Sequence, residues 1–163
     1  PLFGVVAAPL AFRRPQHTAR GEVAAVAGLT LTAPAAWYVA TGRLDAMAGW
    51  LWLLNTLYFA GGVFYVRMHL AAAIQRQPLA DWRRRVSLGR ASLTMHAVAV
   101  GLAVALAAAG MLAWGVVAAL VPAGARALAG VWRLNPRLRI KRLGWTEVAH
   151  SLVFAALLVG ALR

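Results

Sequence analysis

The chain has 163 residues, 62% of them hydrophobic, and a mean hydropathy of +0.69, well above the roughly 45–50% apolar content of an ordinary soluble domain. Seventeen Lys and Arg face four acidic residues (Glu22, Asp45, Asp81 and Glu147), giving a net charge of +13 and a pI near 12.0; the basic residues sit between long apolar runs instead of forming one stripe, which favours a bilayer with anionic lipid head groups as the partner and speaks against nucleic acid. With no cysteine, a disulfide framework, a thiolate nucleophile and Cys-based metal or iron–sulfur sites are excluded.

The first apolar run, Pro1 to Phe12, would rise only about 18 Å as a helix, too short for a hydrocarbon core of about 30 Å. It ends at Arg13-Arg14-Pro15 without a preceding basic segment, so it reads as the tail of a longer, truncated span and not as a signal peptide. The second run, Glu22 to Ala40, is one span long and carries Pro34, which removes a backbone hydrogen bond and predicts a kink. The third, Ala46 to Val66, contains no charge and a single amide, Asn55, for which an interhelical hydrogen bond is expected. From Ala91 to Ala125 the apolar run would measure about 52 Å as one helix, so two spans must share it. A break at Ala109-Gly110 gives a hairpin from Ala91–Ala109 to Met111–Trp132, and Pro122-Ala-Gly124 is the competing interruption. The last run, Gly144 to Leu162, is again one span long. The expectation is an all-α, polytopic transmembrane helix bundle forming one domain over residues 1–163, with five full spans and an incomplete first one.

The loops set an orientation. Arg13–Arg20 carries three Arg, Arg67–Arg90 six Arg, and Arg133–Arg142 five Lys or Arg, whereas the alternate loops and the end carry only Arg43 and Arg163; Arg126 falls inside or near a span. All these loops are short, so the positive-inside rule applies and places the C-terminus outside a bacterial cytoplasmic membrane. Trp37, Tyr38, Trp50, Trp52 and Trp114 fall at outer ends, and Tyr65, Trp132 and Trp145 at inner ends, as interfacial belts require.

In the longest polar loop, Gln77-Pro78 separates a continuation of the third helix from a new one capped by Asp81. Arg76 and the run Arg83-Arg84-Arg85 beside Trp82 then have two readings: an anchor among lipid head groups, or a site for a phosphate or diphosphate. Glu147 and His150, three apart on the final helix, share a face. A di-metal bundle site would need that Glu-x-x-His pair twice with two further Glu, so no metal is expected. Counted from the inner ends, Glu147 lies about 4–5 Å, His96 about 8 Å and His150 about 9 Å deep. Ionisable groups in spans usually face the bundle interior, which predicts a polar pocket of His96, Glu147 and His150 bordered by Tyr65, Arg67 and His69. The alternative is a structural network in which Glu147 pairs with an Arg.

Two segments carry a likeness. Phe59-Ala-Gly-Gly-Val-Phe-Tyr-Val-Arg67, followed by Arg76, resembles the YVR/K…R segment of the bacterial YwiC-like membrane proteins, and Asn135-Pro-Arg through Lys141-Arg-Leu-Gly144-Trp-Thr-Glu147 resembles their later P-x-x-(K)-x-x-G-x-x-E segment. The resemblance covers most of the chain and implies a role that is unassigned. YwiC-like proteins look broadly similar to the helical UbiA-type prenyltransferases, which hold Mg²⁺-diphosphate between two Asp-rich motifs. Here the two aspartates, Asp45 and Asp81, are predicted on opposite sides of the membrane, so Mg²⁺-dependent prenyl transfer lacks its carboxylates, and no cofactor is expected. Three readings of function stand: binding of an amphiphile with an anionic head in a cytoplasm-facing pocket, proton-linked transport through His96, Glu147 and His150, and a non-catalytic role beside a membrane-protein partner.

Overall fold

The computed structural model describes residues 18–75, 81–136 and 140–162. Among the described residues every regular element is a helix: α1 (Ala19–Leu29), α2 (Thr32–Thr41), α3 (Ala46–Gln75), α4 (Trp82–Ala108), α5 (Trp114–Trp132) and α6 (Ile140–Ala161). Five segments are long and apolar enough to cross a membrane, with α1 and α2 together making the first. The incomplete run Pro1 to Phe12 lies outside the described residues. Two helices run beyond the apolar spans, as the division at Gln77-Pro78 and the cap at Asp81 lead one to expect: at 30 residues α3 is about 45 Å long and carries Arg67 and His69, and α4 starts at Trp82, taking in Arg83 to Arg90. The chain forms two compact units, residues 1–63 and 64–163, with α3 contributing to both.

In the first unit the kink expected at Pro34 appears one turn earlier, as a break at Thr30-Leu31. Pro34 has no amide to donate to the Thr30 carbonyl, which takes the Ala33 amide in a tighter turn (3.0 Å), and the Leu31 amide turns to Gly28 (3.3 Å). Side chains serve the carbonyls this displaces. Trp52 Nε1 donates to Ala27 O (2.8 Å), the Thr30 hydroxyl to Val26 O (2.9 Å) and Ala27 O (3.2 Å), and the Thr32 hydroxyl to Leu29 O (3.0 Å). Such re-satisfaction is what lets a broken helix persist in hydrocarbon. The Thr30 and Thr56 hydroxyls also meet, at 2.7 Å. The interhelical bonds therefore come from Trp52 and Thr56, while the Asn55 amide nitrogen, within reach of its own preceding turn, donates to Leu51 O (2.8 Å). Asp45 starts α3 by accepting from the Met47 and Ala48 amides and from the Trp37 indole (3.1 Å).

In the second unit Asp81 caps α4 as expected, accepting from the Arg83 amide (3.0 Å). Of the two candidate breaks only Ala109-Gly110 is used: Gly110 takes φ +71°, and the Met111 amide closes on Leu106 O (2.9 Å), the six-to-one bond of a Schellman turn. α5 runs through Pro122 unbroken. It packs against both α4 and α6. Ala99 and Ala103 of α4, and Ala119, Ala123 and Ala127 of α5, are all buried, small side chains that allow close backbone approach.

At the basic end of this unit Tyr65, Met68, Ala72, Val131 and Leu134 form one apolar cluster. Tyr65 is therefore a core residue, 8% exposed, and not a member of an interfacial belt. Trp82, Trp132 and Trp145 do lie exposed, the first two in edge contact at 5.6 Å. Two glycines admit this packing: a Cβ on Gly130 would lie 2.5 Å from Tyr65 Cε2, and one on Gly89 would strike Val131. Gly130→Leu and Gly89→Leu are each expected to destabilise the protein by about 1–3 kcal/mol through overpacking. Gly101→Leu, where a Cβ meets nothing within 4 Å, is expected to leave stability unchanged; thermal unfolding in mild detergent reads the difference.

Candidate functional site

Helical spacing brings polar residues to the packed faces of the second unit. Tyr65, Met68, His69 and Ala72 recur at i, i+3, i+4 and i+7 on α3; Gly89, Ser92, His96 and Ala99 lie on one side of α4; Ala123, Arg126, Ala127 and Gly130 share a side of α5. On α6 Glu147 stands two turns before Phe154 and three before Leu158, the buried residues of that helix. Arg126 lies about 9 Å along the axis from Trp132, Glu147 about 10 Å from Ile140, and His96 about 9 Å beyond Arg90. These groups make up the polar layer of the second unit, which their side-chain contacts define.

Arg126 organises this layer. Its Nη1 donates to Glu147 Oε1 in an ion pair joining α5 to α6, with side chains 10% and 24% exposed. Its guanidinium carbon sits 4.4 Å from the centre of the Tyr65 ring, a cation–π contact to α3. The His69 ring packs edge-on against Tyr65 at 4.7 Å. The Arg126 charge reaches Tyr65, His69 and His96, and that of Glu147 reaches Tyr65. On α4, His96 is 5% exposed, and its Nδ1 bonds Ser92 O at 2.8 Å. In the neutral ring that bond puts the proton on Nδ1 and leaves Nε2 an acceptor.

Four buried atoms here have no hydrogen-bond partner: His69 Nε2, Ser92 Oγ, His96 Nε2 and Arg126 Nε. Buried polar groups are nearly always satisfied, so these four mark where the second unit keeps hydrogen-bonding capacity to spare. The set includes a donor (Arg126 Nε–H), an acceptor (His96 Nε2) and a hydroxyl that can act either way.

Of the residues expected from sequence, Tyr65, His69 and Glu147 come together around Arg126, with His96 within its electrostatic reach. His150 shares the Glu147 face but spends its Nδ1 on Thr146 O (2.7 Å), one turn back on its own helix. Arg67 lies two residues beyond Tyr65 on α3, half-buried. In the Arg83–Arg85 run, two members tie elements together: Arg85 Nη1 caps the end of α5 at Trp132 O (2.7 Å), and Arg84 Nη2 bonds Gln75 Oε1 (2.8 Å). Arg83 lies with Trp82, Val86, Ser87 and Arg90 around a shallow surface cavity of about 320 Å³. Arg76 lies outside the described residues. Sequence reasoning missed Arg126 as the centre, although its isolation in an apolar run was the available signal. Among the described residues no group of three or more His, Asp or Glu stands close enough to hold a metal ion.

No family model, curated protein or solved structure matches the chain. Function is therefore reasoned from the Arg126 layer itself. Arg126→Leu or Glu147→Leu alone is expected to cost about 3–5 kcal/mol, because each leaves a buried charge without its counter-charge. The double substitution is expected to cost much less than the sum. Denaturation in detergent followed by circular dichroism measures the coupling, and strictly additive losses would show that the pair contributes nothing.

Proposed function

We propose that this chain is a multi-pass protein of the bacterial cytoplasmic membrane, with its basic loops in the cytoplasm, and that it binds the anionic head of an amphiphile in the polar layer around Arg126. The observation that carries this reading is the set of four unpartnered buried polar atoms on α3, α4 and α5, close to the helix ends that bear most of the basic residues. Those ends draw anionic heads from the surrounding leaflet, and the layer offers the donors and acceptors to hold one. The segments resembling YwiC-like proteins each supply a member of the layer, Tyr65 and Glu147, which supports membership of that group. Proton-linked transport is the second reading. It is favoured by the run of contacts His69, Tyr65, Arg126, Glu147, a different set from the His96, Glu147 and His150 relay expected from sequence.

Two measurements test the proposal. Alkaline phosphatase fused after Arg163 is expected to be active and a fluorescent reporter at the same place dark; the reverse pattern would overturn the orientation. Purified protein is expected to retain phosphatidylglycerol over phosphatidylcholine in native mass spectrometry. The His69→Leu/His96→Leu variant should lose about a factor of ten of that preference, the scale of one hydrogen bond to a charged group; equal retention of both lipids by the unaltered protein would refute head-group binding.

A further inference from the structure

The Arg126–Glu147 pair is unequal in two ways. Glu147 uses only Nη1 of the guanidinium, while Nε, whose N–H runs parallel to one on Nη2 and not to those on Nη1, is buried without a partner. The Nε edge is therefore a second face that Glu147 does not take, of the kind phosphates and carboxylates engage through two parallel N–H groups. Glu147 is also the more exposed member, 24% against 10%, so the carboxylate is the partner nearer the surface. The arginine also meets the Tyr65 ring at 4.4 Å, and a Cβ on Gly130 would strike that ring, so its seat is built by α3 and by α5 itself.

Charge decides what a second anion must do here. Arg126 and Glu147 together are neutral, and an oxyanion added beside them would set two negative charges against one positive charge away from water, where like charges repel strongly. The incoming anion and the Glu147 carboxylate therefore compete for one guanidinium. We infer that Arg126 is an oxyanion-binding site and that Glu147 is its built-in competitor, holding the guanidinium charge until a phosphate or carboxylate head takes Nε and Nη2 together. This rests on the head-group reading above and names the atoms that would serve it. His96 Nε2, an acceptor with no partner, and the Ser92 hydroxyl suit a hydroxyl carried by the same head. The titratable and charged groups that face Glu147 are Arg126 on α5 and Tyr65 on α3, with His150 one turn on along its own helix; His69 and His96 lie within reach of the Arg126 charge.

The test uses the full chain in nanodiscs with two probes, phosphatidylglycerol in a phosphatidylcholine bilayer and inorganic phosphate in solution, and compares the unaltered protein with E147Q, R126Q and the double variant. Removing the competitor in E147Q should tighten binding about tenfold or more, the fold-change of one charge-assisted hydrogen bond. R126Q should abolish that binding, and the double variant should behave as R126Q. Tightening toward the lipid alone identifies a head group as the occupant, and tightening toward phosphate as well identifies a soluble oxyanion. If the unaltered protein binds phosphatidylglycerol and neither E147Q nor R126Q changes it, the competitor falls while head-group binding through the basic loops stands. If the unaltered protein binds neither probe and E147Q does not either, both fall. Should E147Q fail to fold, solid-state NMR of the unaltered protein watches the pair directly: the Arg126–Glu147 dipolar coupling should vanish at saturating probe, and its persistence would overturn the inference.

Discussion

The ion pair between Arg126 and Glu147 joins α5 and α6, whose fully buried residues are all small or apolar. A guanidinium in a span is tolerated only where a counter-charge and further donors or acceptors meet it, since hydrocarbon supplies neither. That requirement positions much else in the second unit. It draws the Tyr65 ring beneath the guanidinium, it leaves no room for a side chain at Gly130, and it sets Glu147 on the buried side of α6 in line with Phe154 and Leu158. The apolar cluster around Met68 and Val131 then closes the basic end of the unit.

Around this pair the polar groups divide into those spent on structure and those left open. Arg84 and Arg85 close helix ends and loops, and His150 is bound to its own helix. His69, Ser92, His96 and Arg126 each keep one buried atom unengaged. A wholly structural network would pair such atoms with one another, because an unsatisfied group in a low-dielectric interior is expensive. The division sets apart the polar groups tied up in the scaffold from those that keep bonding capacity more sharply than the abundance of arginine does.

Much of the architecture was legible from length and punctuation. Five apolar runs of bilayer length, the turn at Gly110 and the cap at Asp81 all follow from rules that act within a few residues, and the structure has them. The centre of the candidate site was less legible, for a physical reason: sequence gives a residue's depth along a helix but not the direction in which it faces a neighbour. Tyr65 sits where an interfacial aromatic would sit, and only the packing of α3 on α5 shows it to be core. His150 was expected within the pocket and His69 only at its border; the backbone carbonyl or ring that each histidine meets reverses that order. Arg126 and Glu147 are separated by a helix end and a loop, so their pairing appears only when α5 and α6 lie side by side. The break at Thr30-Leu31, by contrast, is a local effect of Pro34 displaced by one turn, as the geometry of a missing amide dictates.

That break has a bearing on how the chain enters a membrane. The Ala27 carbonyl, deprived of its own helical donor, is served by the indole of Trp52 on the next apolar segment, and Thr30 is met there by Thr56. A segment that borrows its hydrogen bonds from its successor is a poor passenger on its own: until α3 emerges from the ribosome and moves alongside, those groups need water or the insertion machinery to shelter them. These two segments are therefore matched for joint release into lipid as a hairpin, with biosynthetic timing written into a proline and a tryptophan.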